Sequence, residues 1–351
     1  MKRIEADNHK LVFHPKRVWG WLEKGDCFPI YVEIGTTNRC NHRCIFCALD
    51  FLGYKPVDID SKVMQKTLEE MACLGVKSVM FAGEGEPLLH KNISLFVQTS
   101  KKYGMDVSMT TNGILFNQKK LEEILPYLSW IRFSVDAGTS ETYAQIHRTN
   151  KKDFEKLISN MYQTVQLRNE KIYPATIGVQ FLLIPQNLKE ALLLTKKAKE
   201  IGVDNIQIKP YSHHPLSKNE FKIDYSKIEY LKEDVESYSD KNFQAIYRDN
   251  TVHRLQEGKD YNECYGLPFF ALITAKGDII PCNLFYENPE FSYGNINQQG
   301  FKEIWLSEKR KEVIKKLKER GIKECRGSCR LDPLNRYLHR LKNPHPHDNF
   351  I

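Results

Sequence analysis

The chain has 351 residues, 41% of them hydrophobic and 27% charged, with a formal net charge of +8. That composition suits a globular protein of one large domain plus a smaller one, and it excludes disordered, collagen-like and low-complexity classes. The basic excess is mild and spread along the chain, which argues against a nucleic-acid stripe but leaves room for an anionic substrate.

No apolar run follows Met1-Lys2-Arg3-Ile4, so no signal peptide is expected, and no stretch is long and apolar enough for a transmembrane helix. A cytoplasmic protein without membrane or nucleic-acid partners is expected, with its thiols reduced. Nine cysteines then point to metal or catalysis rather than disulfides.

In chain order, β-branched apolar runs predict strands at about 30–35, 78–82, 106–110, 131–135, 176–184 and 205–209. Helical stretches separate them. In 61–74, Val63, Met64, Thr67, Leu68, Met71 and Leu74 recur at helical spacing ahead of Gly75, a C-cap residue. Segments 154–167 and 188–201 behave alike. Repeated βα units imply parallel strands with helices outside. The expected fold class is α/β: a partial (β/α)6 TIM-like barrel over residues 30–214, after an N-terminal extension of residues 1–29. Chemistry belongs at the C-terminal strand ends.

Residues 215–260 read as polar connectors. Segments 269–275 and 278–281 flank Lys276-Gly277 as a hairpin, and a helix is expected at about 301–319. Residues 215–351 are therefore expected to form a small metal-bound hairpin–helix module with a C-terminal tail. The tail carries Arg336, Arg340, Lys342, His345 and His347, and either covers the barrel mouth or trails in solvent.

The cysteines sort by position. Cys40, Cys44 and Cys47 follow the first strand as C-x3-C-x2-C, Cys264, Cys282, Cys325 and Cys329 lie in the last quarter, and Cys27 and Cys73 are left over. Four thiolates complete a [4Fe–4S] cluster, and three leave a metal position open. Zinc is the alternative at both places, with His42 as a fourth ligand at the first.

With Phe46 ahead of its last cysteine, the first motif resembles that of the radical S-adenosylmethionine (radical SAM) superfamily. The resemblance implies an enzyme. One cluster on Cys40, Cys44 and Cys47 would bind SAM. A low-potential donor such as flavodoxin or ferredoxin would supply an electron for its cleavage to methionine and a 5′-deoxyadenosyl radical. Further segments agree. Gly83-Glu84-Gly85-Glu86-Pro87 looks like the family's Gly-Gly-Glu-Pro loop at the SAM amino group, with Glu84 as an extra acid. Thr110, Asn112, Ser134 and Arg148 fall where similar enzymes contact SAM, Phe46 would lie on the adenine, and Gln180 and Leu183 would line the cofactor. The C-terminal quartet resembles the SPASM/twitch-type domain around one auxiliary [4Fe–4S] cluster.

Neither spare cysteine is expected at the chemistry. Cys27 precedes strand one, and Cys73 lies opposite the apolar face of its helix. Past strand six, Tyr211, His213 and His214 lie at the catalytic end as hydrogen donor and general bases. The preferred reaction is oxidation of a carbinol in a small, polar, carbohydrate-like substrate. Epimerisation, peptide or protein side-chain modification, and an iron–sulfur or zinc scaffold are the alternatives. Residues 1–29 are too few for the leader-binding module common in peptide-modifying relatives.

Overall fold

The computed structural model describes residues 9–350. The segment read above for a signal peptide lies outside the described residues. Among those described, no helix is long and apolar enough to cross a membrane.

Ten strands form one sheet: β1 (Tyr31–Ile34), β2 (Ser78–Phe81), β3 (Asp106–Thr111), β4 (Trp130–Ser134), β5 (Thr176–Leu183), β6 (Asn205–Pro210), β7 (Gln244–Tyr247), β8 (Phe270–Ile273), β9 (Asp278–Ile280) and β10 (Gly294–Asn295). Their order is β10-β9-β8-β1-β2-β3-β4-β5-β6-β7. Neighbours from β8 to β7 are parallel, and β8–β9 and β9–β10 are antiparallel. This is the partial barrel expected, with two differences. A strand, β7, extends it beyond β6, and the C-terminal hairpin joins the same sheet through β8, beside β1.

Among the described residues twelve α-helices accompany the sheet: α1 (Pro15–Lys24), α2 (Ser61–Cys73), α3 (Ile93–Lys102), α4 (Gln118–Ile124), α5 (Ser140–His147), α6 (Lys151–Lys171), α7 (Ala191–Ile201), α8 (Tyr230–Glu236), α9 (Asp249–Gln256), α10 (Phe301–Leu306), α11 (Glu308–Arg320) and α12 (Asp332–Lys342). α2 starts where the Asp60 carboxylate accepts from Lys62 N and Val63 N, satisfying donors the helix leaves open. Its Met64, Leu68 and Met71 face the core. The helix expected at 301–319 is two helices, because the Ser307 side chain accepts from Arg310 N and starts α11.

Strand parity separates two environments. Val32, Ile34, Val79, Phe81, Val107, Met109, Ile131, Phe133, Val179, Phe181, Ile206 and Ile208 are buried in one core cluster. The alternate positions include Glu33, Ser108, Arg132, Ser134, Gln180, Gln207 and Lys209, on the other face of the pleat. The concave interior is polar, unlike that of a closed barrel filled by branched apolar side chains.

Of the tail's two expected courses, the solvent one holds past α12, where residues 343–350 are exposed, while α12 itself packs on the protein. Leu338 of α12 packs with Leu11, Val18, Trp21 and Phe269, and Lys342 Nζ lies over the Trp21 ring. α12 thus covers α1 beside the start of β8. A cleft of about 840 Å³ near there is lined by residues including Arg17, Cys27, Lys77 and Trp305, away from the cysteine loop.

Candidate active site

Past Ile34, Gly35 N donates to Ile273 O (2.8 Å), and the chain loops out carrying Cys40, Cys44 and Cys47. Four neighbours hold that loop. Thr37 Oγ1 and Arg39 Nε donate to Asp58 (2.6 and 3.1 Å). Glu86 N, from the loop after β2, donates to Arg39 O (2.8 Å), and Asn112 Nδ2, after β3, donates to Asn41 Oδ1 (2.8 Å). At the end of α5, His147 O and Ile146 O accept from Arg43 N (3.1 Å) and Ile45 N (2.8 Å).

The three thiols are buried enough to be held protonated on their own. Burial pushes Cys40 up to about 11, and charge on its neighbours adds to the cost. Cys44 and Cys47 are also raised, burial first. Such a set becomes three thiolates when a cationic cluster balances them, which fits an iron–sulfur site. His147 Nδ1 lies 3.1 Å from Cys44 Sγ, while its Nε2 is bonded to Val135 O (2.9 Å). The ligand atoms of His42, Cys44 and His147 lie within 4.8 Å of one another.

The loop after β2 is built by close approach. A Cβ on Gly85 would lie 2.1 Å from Arg39 O, so only glycine lets the two loops touch. Gly83 has φ +109°, a conformation that favours glycine. Glu86 accepts from Leu88 N (3.1 Å), Thr111 Oγ1 (2.6 Å) and Asn112 N (2.8 Å). It ties the β2 and β3 loops together and retains one acceptor site of the four a carboxylate offers. Glu84 points elsewhere: its oxygens accept from Ala275 N (2.7 Å) and Asn38 Nδ2 (3.3 Å). It braces the β8–β9 turn, not a cofactor.

Of the remaining expected cofactor contacts, Thr110, Ser134 and Gln180 lie on the interior face, Ser134 in register with Gln180. Phe46 packs edge-on against His147 at 5.3 Å. Arg148 is exposed and caps α5 in a left-handed conformation, next to the cysteine loop. Leu183 is a correction. It is fully buried in the core cluster, on the opposite parity to Gln180, so it packs and lines no ligand.

The C-terminal thiols also converge. Burial raises Cys264, Cys282, Cys325 and Cys329, and the charges of other members of the quartet add to the cost at Cys264, Cys282 and Cys329. Cys264, Cys282 and Cys329 pack on an apolar cluster of Leu49, Leu52, Phe270, Leu272, Ile280, Tyr286 and Leu331, and Cys47 packs on the same cluster. Two arginines beside these ligands grip the barrel. Arg326 donates to Ser212 O and His213 O, and Arg330 to Glu33.

Past β6, His214 is fully buried and stacked on Phe51 at 5.0 Å. Its Nε2 donates to Asn283 O (3.0 Å) while Nδ1 accepts from Leu216 N (3.2 Å). With both nitrogens engaged it cannot take a proton, which corrects its expected role as a base. Tyr211 donates its hydroxyl to Asn219 O (2.5 Å). His213 is exposed, its Nδ1 3.1 Å from the same carbonyl. Cys73 is exposed on α2. Cys27 lies beside Pro268 O (3.5 Å), pushed up to about 12 by burial. Sequence reading missed the interior basic residues Arg132, Lys209 and Arg248. The signal for Arg132 and Lys209 is the polar alternation of β4 and β6, whereas Arg248 follows a strand that only pairing with β6 reveals.

The radical SAM superfamily profile matches residues 34–205, and the SPASM iron–sulfur cluster-binding domain profile matches 264–330. A GTP 3′,8-cyclase of Clostridium acetobutylicum is 30% identical over 43% of this chain and 48% of its own length. The chain thus spans about half of such relatives. A tungsten-containing aldehyde ferredoxin oxidoreductase cofactor-modifying protein of Pyrococcus furiosus is 25% identical over 80% of this chain and 81% of its own. Streptococcus suis SuiB bound to S-adenosylmethionine superposes with a TM-score of 0.65 at 19% identity, over 85% of this chain and 70% of that one, a likeness of fold.

Proposed function

The chain belongs to the radical SAM superfamily and carries a SPASM-type iron–sulfur domain, and from that premise we propose that it oxidises a carbinol of a small, polar, carbohydrate-like substrate. When bound, SAM and the two [4Fe–4S] clusters supply, with one electron from a low-potential flavodoxin or ferredoxin, cleavage to methionine and a 5′-deoxyadenosyl radical that takes the carbinol C–H hydrogen, and an acceptor for the second electron. Cys40, Cys44 and Cys47 hold the first cluster, and Cys264, Cys282, Cys325 and Cys329 the second. The Gly83–Glu86 backbone, Thr110, Asn112, Ser134 and Arg148 ring the cofactor position. The core strands β1–β6 lie in residues 30–214 and the auxiliary cysteines in 215–351, a segment that also lends β7 to the core sheet.

The substrate gives up a hydrogen atom, a proton and an electron, and its alcohol becomes a ketone. His213 takes the hydroxyl proton, being exposed past β6 where His214 is fully engaged. One observation carries oxidation over epimerisation. Cys47 and three of the quartet pack on one apolar cluster, which supports passage of an electron between the two sites. The spare thiols lie elsewhere, Cys73 on the outside of α2 and Cys27 beside Pro268. Turnover in D2O tests this. Oxidation gives a product lighter by two hydrogens, with no deuterium at the reacting carbon. A product of inverted configuration bearing deuterium would replace it with epimerisation, and label in a peptide residue with side-chain modification.

A further inference from the structure

α12 and the residue that caps it carry a stripe of inward-facing side chains. Leu331, Leu334, Asn335 and Leu338 follow one another at i, i+3, i+4 and i+7, the spacing of one helix face. Leu331 belongs to the apolar cluster on which Cys264, Cys282 and Cys329 pack, and Leu338 to the one around Trp21. Asn335 sits between them in the stripe and is 2% exposed. An amide placed there loses its water, and it is tolerated where the protein replaces the lost hydrogen bonds.

Asn335 finds its replacements at one cysteine of the quartet. Its Oδ1 accepts from Gly266 N (2.7 Å), two residues past Cys264. That bond fixes the orientation of the amide, because a backbone N–H can only donate. Nδ2 therefore faces Cys264 Sγ as a donor, at 3.5 Å, a span that suits the larger sulfur atom. The two segments are in close contact: a Cβ on Gly266 would lie 3.3 Å from Asn335 Oδ1 and 3.4 Å from Leu331 Cβ. The helix that delivers the amide is anchored on either side of it. The Asp332 carboxylate accepts from Tyr261 Oη (2.7 Å) and Arg336 Nε (3.1 Å), and Leu338 is fully buried. Cys329, by contrast, takes a donor from its own loop, Leu331 N at 3.4 Å.

We propose that Asn335 is a positioning residue of the auxiliary cluster: its amide donates to the Cys264 thiolate and raises the cluster's reduction potential. An N–H aimed at a ligand sulfur favours the state carrying more negative charge, which is the reduced one. Burial strengthens the effect, because no water competes for the sulfur. The cluster becomes a readier acceptor for an electron, the property that the oxidation proposed above requires of it. The donor lies beyond residue 330, where the match to the SPASM profile ends, so the C-terminal helix of this chain supplies it. The assignment rests on the iron–sulfur reading of the quartet and names what regulates that site.

The test is an anaerobic redox titration of the reconstituted holoenzyme followed by electron paramagnetic resonance. SAM tells the two signals apart: it alters that of the cluster on Cys40, Cys44 and Cys47, which has an open iron, and leaves that of the four-thiolate cluster unchanged. Asn335→Leu removes the donor without adding charge, and Asn335→Asp replaces the donor with an acceptor. Asn335→Leu should shift the equilibrium between reduced and oxidised auxiliary cluster about threefold to tenfold toward oxidised, a potential lower by about 30–60 mV for one electron. Asn335→Asp should lower it further. Iron should stay at about eight per chain, and the potential of the SAM-sensitive cluster should not move. Asn343→Leu, the same change at the exposed end of α12, should leave both potentials unchanged. If Asn335→Leu does not load its iron, Asn335→Met, neutral and more adaptable in shape, takes its place. An auxiliary potential that is unchanged or raised in the neutral variant, or an equal shift in Asn343→Leu, would overturn the role of Asn335 while leaving the cluster in place. A wild-type chain with about four iron atoms and a SAM-sensitive signal alone would remove the auxiliary cluster, and the role of Asn335 with it, so the two failures read differently.

Discussion

Replacing Gly85 with alanine probes how the cofactor loops are held. The added Cβ would sit 2.1 Å from Arg39 O, 2.7 Å from Thr37 O and 2.8 Å from Arg39 C. All three are backbone atoms, so no flexible side chain can yield. Reaching an ordinary contact of about 3.5 Å requires the β2 loop and the cysteine loop to part by about 1 Å or more. The 2.8 Å bond from Glu86 N to Arg39 O spans that gap and is lost with it. Overpacking costs about 1–3 kcal/mol and the hydrogen bond about 1 kcal/mol, so a destabilisation of about 2–4 kcal/mol is expected. A displacement of that size beside the reacting groups lowers a rate by about a hundredfold. Guanidinium denaturation and anaerobic 5′-deoxyadenosine formation measure the two effects on one preparation. Wild-type values for both in Gly85→Ala would refute the tight docking of these loops.

Other consequences follow from single groups. Burial raises the Glu84 carboxyl from 4.5 to about 7; the folded state therefore binds the extra proton in that window and loses stability as pH rises through it. Comparing pH-stability curves should show Glu84→Gln without that loss, on the order of 3 kcal/mol across the window. Arg330→Ala strands the Glu33 carboxylate, which is 5% exposed. Because Arg330 itself is half-exposed, the expected loss in chemical denaturation is about 1–2 kcal/mol, largely restored by adding Glu33→Gln. Cys73→Ser, on the outside of α2, should leave iron content and 5′-deoxyadenosine yield unchanged, whereas Cys282→Ala should lower iron by about four per chain.

The parallel strands could be read from the sequence because β1 to β6 put an apolar residue at every second position and turn signals separate them. β7 could not: its four residues Gln244–Tyr247 lie in a polar stretch, and pairing with β6 makes them a strand. The cysteine trio was legible because its ligands are close in sequence. The roles of Glu84, His214 and Leu183 were not, for two reasons. Glu84 and His214 find partners far along the chain, Ala275 and Asn283. Leu183 belongs to the wrong strand parity, which a residue list does not reveal until register is known. The arginine contacts to the barrel are hidden the same way, since Arg330 reaches Glu33 across 297 residues.

The most direct measurement is 5′-deoxyadenosine formation by anaerobically reconstituted, reduced protein supplied with SAM, with iron counted on the same sample. The wild-type chain is expected to hold about eight iron atoms and to cleave SAM. The Cys40→Ala, Cys44→Ala, Cys47→Ala triple variant is expected to hold about four and to form none. A triple variant that still produced 5′-deoxyadenosine would contradict the assignment of the catalytic cluster to these three thiols.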